Sequence, residues 1–126
     1  MKYVRYITLL AVLLLSTTMI GIQANATAPR YLKLQYQPQT HTLKVTIMHF
    51  SPIMKIHYVY RVEIDKNGEV YQAYLYNRQP RILFFSYTYN VSINPGDTIT
   101  VSAYCVLWGF IQKSQTITTL KESLMI

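Results

Sequence analysis

A period of two is the strongest constraint on this chain. From Tyr31 onward apolar and polar residues alternate, as in Tyr31-Leu32-Lys33-Leu34-Gln35-Tyr36 and Leu43-Lys44-Val45-Thr46-Ile47. Successive side chains of a strand point to opposite faces, so the pattern calls for strands buried on one side. Turn signals separate the runs: Pro38-Gln39-Thr40, Lys66-Asn67-Gly68, Asn77-Arg78-Gln79-Pro80 and Asn94-Pro95-Gly96-Asp97. Strands are expected over residues 31–36, 43–47, 57–65, 69–76, 81–89, 98–106 and 115–120. Tyr58, Tyr60, Val62 and Ile64 are expected on one face of the third. Short strands spaced by turns predict an all-β fold, an immunoglobulin-like β-sandwich of about seven strands. The aromatic run Leu83-Phe84-Phe85-Ser86-Tyr87 reads as a central, buried strand; as an exposed edge it would offer a homo-oligomer or partner surface.

Residues 1–26 have the pattern of an N-terminal signal peptide. Lys2 and Arg5 precede an apolar run from Ile7 to Ile22, and Ala24-Asn25-Ala26 is a small-x-small cleavage sequence. The cut is expected after Ala26, leaving one domain over residues 27–126. That places the protein outside the cell, in the periplasm or in the cell envelope, with no membrane association after cleavage. The competing reading is an uncleaved anchor, but the run is shorter than the roughly 20 apolar residues a spanning helix needs.

Without Lys2 and Arg5 the 12 basic residues become 10 against 5 acidic ones, a net charge of about +5. The basic residues are scattered, with no run or stripe, so a nucleic-acid partner is not expected. The acidic residues fall at turns, and no paired-carboxylate site, Ser-His-Asp order or glycine-rich phosphate loop is present. Cys105 is the sole cysteine, so no internal disulfide can form. An unpaired thiol in an oxidising compartment has to be buried, metal-bound or paired with another chain.

Two segments carry chemistry: Ser51-Pro52-Ile53-Met54-Lys55-Ile56-His57-Tyr58 and Ala103-Tyr104-Cys105-Val106-Leu107-Trp108-Gly109-Phe110. They resemble the iron-site segments of superoxide reductases, the domain type of desulfoferrodoxin and neelaredoxin. That family writes His-Pro-Met-x-x-x-His-Tyr-Ile and Tyr-Cys-Asn-x-His-Gly-Leu-Trp. The resemblance spans about residues 43–112 and implies a sandwich. It also implies a ferrous ion held by four imidazoles and one axial thiolate, with an open position for superoxide. Matched by position, His57 is the second histidine of the first segment and Cys105 the axial ligand. Ser51 and Trp108 stand where histidines belong, and the upstream stretch 30–35 has none; Lys33 is the nearest candidate for the family's catalytic lysine.

Serine is a poor ligand for Fe(II), and an indole N–H only donates. The expectation is therefore a centre without a complete iron site, no cofactor, and a binding or structural role toward an unknown protein or small ligand. Trp108 is expected to plug the vacated pocket and pack on Cys105. The alternative keeps the enzyme: His49, two residues before Ser51, joins His57 and Cys105 in a rebuilt site, and iron is bound for superoxide reduction. A His/His/Cys set also suits zinc or copper. His41, in the turn before the second strand, is less obviously placed.

Overall fold

A computed structural model describes residues 2–20 and 27–118. The elements are α1 (Lys2–Ile20), β1 (Tyr31–Gln37), β2 (Thr42–Met48), β3 (Val59–Lys66), β4 (Glu69–Leu75), β5 (Phe84–Asn90), β6 (Thr98–Cys105) and β7 (Phe110–Thr116). The side chains of residues 2–14 on α1 are exposed. Among the described residues no helix is long and apolar enough to cross a membrane. The cleavage residues Ala24-Asn25-Ala26 lie outside the described residues.

The seven strands form two antiparallel sheets, ordered β1-β2-β5 and β4-β3-β6-β7. This is an all-β sandwich of the immunoglobulin-like kind. Alternate residues meet between the sheets: Leu32, Leu34 and Tyr36 from β1, Leu43, Val45 and Ile47 from β2, and Ile99, Val101 and Ala103 from β6. Each such side chain contributes about 1.5–3 kcal/mol when fully buried, and this alternation sets the register. The edge strands β4 and β5 belong to different sheets and are bridged by tyrosines. Tyr76 stacks on Tyr87 with ring centres 4.2 Å apart, Tyr74 stacks on Tyr89 at 4.3 Å, and the Tyr76 and Tyr89 hydroxyls are 2.6 Å apart. Burial first, and the neighbouring Tyr76 second, push the Tyr87 phenol up to about 12.

Three expectations need correction. The inward residues of β3 are Val59, Val62 and Ile64, not Tyr58 or Tyr60. A bulge explains this: Val59 faces Cys105 and Arg61 faces Tyr104, so Tyr60 is the extra residue and the faces exchange across it. The aromatic strand β5 is an edge, pairing only with β2, and it starts at Phe84 rather than residue 81. The last strand begins at Phe110, opposite Tyr104, because residues 106–109 make a tight turn closed by the Cys105 N–H donating to the Gly109 carbonyl at 2.9 Å. The final residues expected in that strand, 119–120, lie outside the described residues.

The connections sort to two ends. The β1–β2, β3–β4 and β5–β6 turns lie at one end. The β2–β3, β4–β5 and β6–β7 connections lie at the other, where residues 27–30 also lead into β1.

Candidate metal centre

Strand parity delivers two of the site residues. On β2 the inward series Leu43, Val45, Ile47 continues to His49, one step past the strand's end, and His49 is buried. On β6 the series Ile99, Val101, Ala103 continues to Cys105, also buried. His57 arrives from the β2–β3 loop. The Ile56 and His57 N–H groups both donate to the Ile53 carbonyl at 3.0 Å, and the Ser51 hydroxyl donates to the His57 carbonyl. Ser51 is fully buried, and its own N–H donates to the Ile82 carbonyl at 2.7 Å. Ser51 thus braces the loop that presents His57.

His49, His57 and Cys105 converge: one ligand-capable atom from each lies within 4.8 Å of the others. The two imidazole rings meet edge to face with centres 4.5 Å apart. Ligand atoms around one bound ion stand about 3.5 Å apart, so small side-chain adjustments close the set. His57 Nε2 is buried and has no hydrogen-bond partner among the described residues. Burial lowers the His57 pKa, the His49 ring lowers it further, and the Thr27 carbonyl opposes both. The net effect favours neutral imidazole, the form that binds metals.

Gln79 is the residue that sequence reasoning missed. In sequence it is one residue of the strand-breaking stretch 77–80, yet its side chain is completely buried. Its Nε2 donates to the His49 carbonyl at 2.7 Å and to the Arg81 carbonyl at 2.8 Å. Those two carbonyls fix which end of the amide is nitrogen, so Oε1 is the acceptor facing His49 Nδ1 at 2.7 Å and the Val59 N–H at 3.4 Å. His49 Nδ1 therefore carries a proton, and Nε2 faces the Thr27 carbonyl oxygen at 2.7 Å. An outer partner that orients an imidazole in this way is the usual companion of a metal-binding histidine. No local sequence pattern marks Gln79, because its partners come from β2, β3 and its own loop.

Trp108 does not plug the site. It is 83% exposed, standing out from the β6–β7 turn with φ 143°, a backbone region that favours glycine. The next residue, Gly109, has φ 85° and lies against Ala28. Lys33 alternates with the inward Leu32 and Leu34 and so sits on the outer face of β1. His41 occupies the β1–β2 turn at the opposite end, with φ 51° and its Nδ1 3.3 Å from the Tyr36 hydroxyl.

The fold and the site together define an all-β sandwich with a His/His/Cys cluster at one end, His49 and Cys105 buried and His57 partly so. No protein-family model matches this chain, and no curated protein matches it.

Proposed function

We propose that this protein is a metal-binding sandwich module, holding one transition-metal ion through His49 Nε2, His57 Nε2 and the Cys105 sulfur. The observation that carries the reading is the orphaned, buried His57 Nε2 set beside Cys105 and an imidazole whose proton Gln79 has fixed on the far nitrogen. A buried nitrogen without a partner costs about 1–3 kcal/mol, and an ion at the cluster removes that cost. Two imidazoles and a thiolate suit zinc, copper or iron. When bound, such an ion supplies Lewis acidity or, for copper and iron, a redox couple. The protein's part is to orient the imidazoles, shield the sulfur and keep the loops closed around it.

The resemblance to superoxide reductases makes a reduced form of their iron centre the natural origin of this cluster. The full reaction of that family uses four imidazoles; this chain brings two. Metal binding is therefore the activity assigned, and superoxide reduction is left to the test with iron. A second reading, a metal-free binding module, is favoured by the exposed Phe50, Ile53, Ile56 and Trp108 at the same end.

The deciding measurement is metal content and titration of purified protein. One equivalent of Zn²⁺, Cu²⁺ or Fe²⁺, with thiolate-to-metal absorption for the coloured ions that disappears in Cys105→Ser, is the expected result. Protein that takes up none of these ions stoichiometrically would overturn the reading and leave the metal-free module. Superoxide consumption by the iron-loaded protein above that of Cys105→Ser would restore the enzyme.

A further inference from the structure

The chain enters the sandwich beside the candidate centre, and its entry is fixed at four successive residues. The Arg30 N–H donates to the Met48 carbonyl at 2.9 Å, extending the β1–β2 ladder. Pro29 is buried. Ala28 lies so close to Gly109 that a Cβ on the glycine would come within 2.7 Å of the Ala28 Cβ. The Thr27 hydroxyl donates to the Trp108 carbonyl at 2.7 Å. This last contact gives the unusual Trp108 backbone a use, since strained residues persist where their surroundings hold them.

These contacts hold the Thr27 carbonyl oxygen 2.7 Å from His49 Nε2. Gln79 has already placed the ring proton on Nδ1. Nε2 and the Thr27 carbonyl oxygen thus face each other, and two acceptor atoms this close require a cation, either a proton or a metal ion, between them or beside both. Thr27 is also the first residue after the expected cleavage point at Ala24-Asn25-Ala26.

We infer that Thr27 is the fourth ligand of the centre, and that removal of residues 1–26 makes it a two-point ligand, its new α-amine and its carbonyl oxygen gripping the ion held by His49, His57 and Cys105. The inference rests on the metal-binding reading above. A leader-removing protease hydrolyses the Ala26–Thr27 peptide bond: water adds across it, leaving a carboxylate on Ala26 and an amine on Thr27. Before the cut the Thr27 nitrogen is an amide whose lone pair is delocalised into the Ala26 carbonyl. Afterwards it is an amine whose ordinary pKa is about 8, well below that of a lysine, so a metal ion displaces its proton near neutral pH. The amine and carbonyl of one residue close a small chelate ring. Metal uptake is thereby tied to maturation of the chain.

Every core residue lies between Leu32 and Ile117, so a chain beginning at Thr27 keeps the whole core. The test titrates cobalt(II) into three proteins: the chain beginning at Thr27, the same chain acetylated on its α-amine, and the chain extended by Ala26. Near-ultraviolet circular dichroism checks that all three share one fold. The free Thr27 amine is expected to bind at least roughly tenfold more tightly than either blocked form, the low end of what even an outer partner of a metal centre contributes. Its ligand-field bands should also differ from theirs. Equal affinities and identical bands overturn the inference and leave the His49, His57 and Cys105 centre standing. No binding by any of the three overturns both.

Discussion

The two ends of this sandwich use unusual backbone conformations for opposite purposes. At the end away from the cluster, Asn67 and Gly68 have φ 54° and 85°, and Gly96 has φ 94°. His41 is also left-handed there, with φ 51°, a region histidine and asparagine tolerate, and most of the polar groups close on one another, Asp65 Oδ1 being buried without a partner among the described residues. Asn67 donates to Asp97 Oδ1 at 3.0 Å and accepts from the Thr98 N–H at 2.9 Å, while the Asn94 N–H donates to Asp97 Oδ2 at 2.8 Å. At the cluster end, a tryptophan holds φ 143° in solvent, a buried imidazole nitrogen has no partner among the described residues, and large apolar side chains stand exposed. The sharpest departure of the backbone, Trp108, stands where the chain gathers His49, His57 and Cys105, while the turns of the other end use residues that tolerate their conformations. Natural sequences violate local consistency mainly at functional sites, so the contrast itself supports a site at that end.

The largest expected effect of breaking this contrast is on metal uptake. Cys105→Ser and His57→Ala, each removing one of the three proposed side-chain ligands, should abolish stoichiometric zinc binding in calorimetric titration. Asn67→Ala at the opposite end should leave the affinity unchanged. Loss of binding in Asn67→Ala to a similar degree would mean that the two ends are not separable.

Gln79 gives the next largest difference. Gln79→Ala strands the Val59 N–H, the His49 Nδ1 proton and the carbonyls of His49 and Arg81 in the interior. At about 1–3 kcal/mol for each buried group left unmatched, the loss should reach at least about 3 kcal/mol in denaturant unfolding. Metal affinity should also fall by roughly 10–100-fold, as for other residues that orient a ligating imidazole. Asn67→Ala removes bonds that water can replace but also puts alanine in the left-handed region, so it should cost about 2 kcal/mol, less than Gln79→Ala. Equal losses from the two changes would show that Gln79 is an ordinary loop residue.

Where the sequence was legible follows the same division. The Asn67-Gly68 and Asn94-Pro95-Gly96-Asp97 turns need only the residues that form them, and the alternation of β1, β2 and β6 announces its own buried face. The departures all need a second strand to be seen. Tyr60 becomes a bulge only because Val59 and Arg61 pair with Cys105 and Tyr104. β5 is an edge because of sheet order, which no residue in Phe84–Asn90 encodes. The place of His49 follows from parity, because Leu43, Val45, Ile47 and His49 share one face. Gln79 and Thr27 acquire meaning through His49, which lies 30 residues from the one and 22 from the other.

Acid should affect the two ends in sequence. In metal-free protein the folded His57 pKa lies below the ordinary 6.5, chiefly through burial and then through His49. The unfolded chain therefore binds the His57 proton more readily. The stability this provides is complete above pH 6.5 and is lost as pH falls through the lowered folded value. Asp97 is held below its ordinary 3.8, first by Asn67 and then by the Asn94 N–H. Its contribution is present above pH 3.8 and is lost only as pH falls further. Hydrogen exchange followed from neutral to acid pH should show the cluster end opening first, and His57→Gln should remove that first step. A single transition below pH 4, unchanged in His57→Gln, would contradict this ordering.

The smallest effect is also the most direct comparison of the two ends, because it exchanges their backbone logic. Gly68 has open space where a Cβ would go, so Gly68→Ala meets no clash and loses only conformational ease. An alanine in the left-handed region costs roughly 1–2 kcal/mol, and unfolding should report a destabilisation of about that size. Trp108→Gly runs the other way. Its side chain is too exposed to contribute much burial, and a non-glycine residue in a sparsely populated region carries about 1–3 kcal/mol of strain. Glycine adds about 0.5–1 kcal/mol of unfolded-chain entropy, so the net expectation is a stabilisation of about 1 kcal/mol. The Thr27 hydroxyl bonds to the Trp108 carbonyl, a backbone group that glycine retains. Metal affinity should therefore stay unchanged while stability rises. A destabilised Trp108→Gly would mean that the indole packs on the neighbouring loops in solution, and the contrast between a strained end and a relaxed one would then fail at its clearest point.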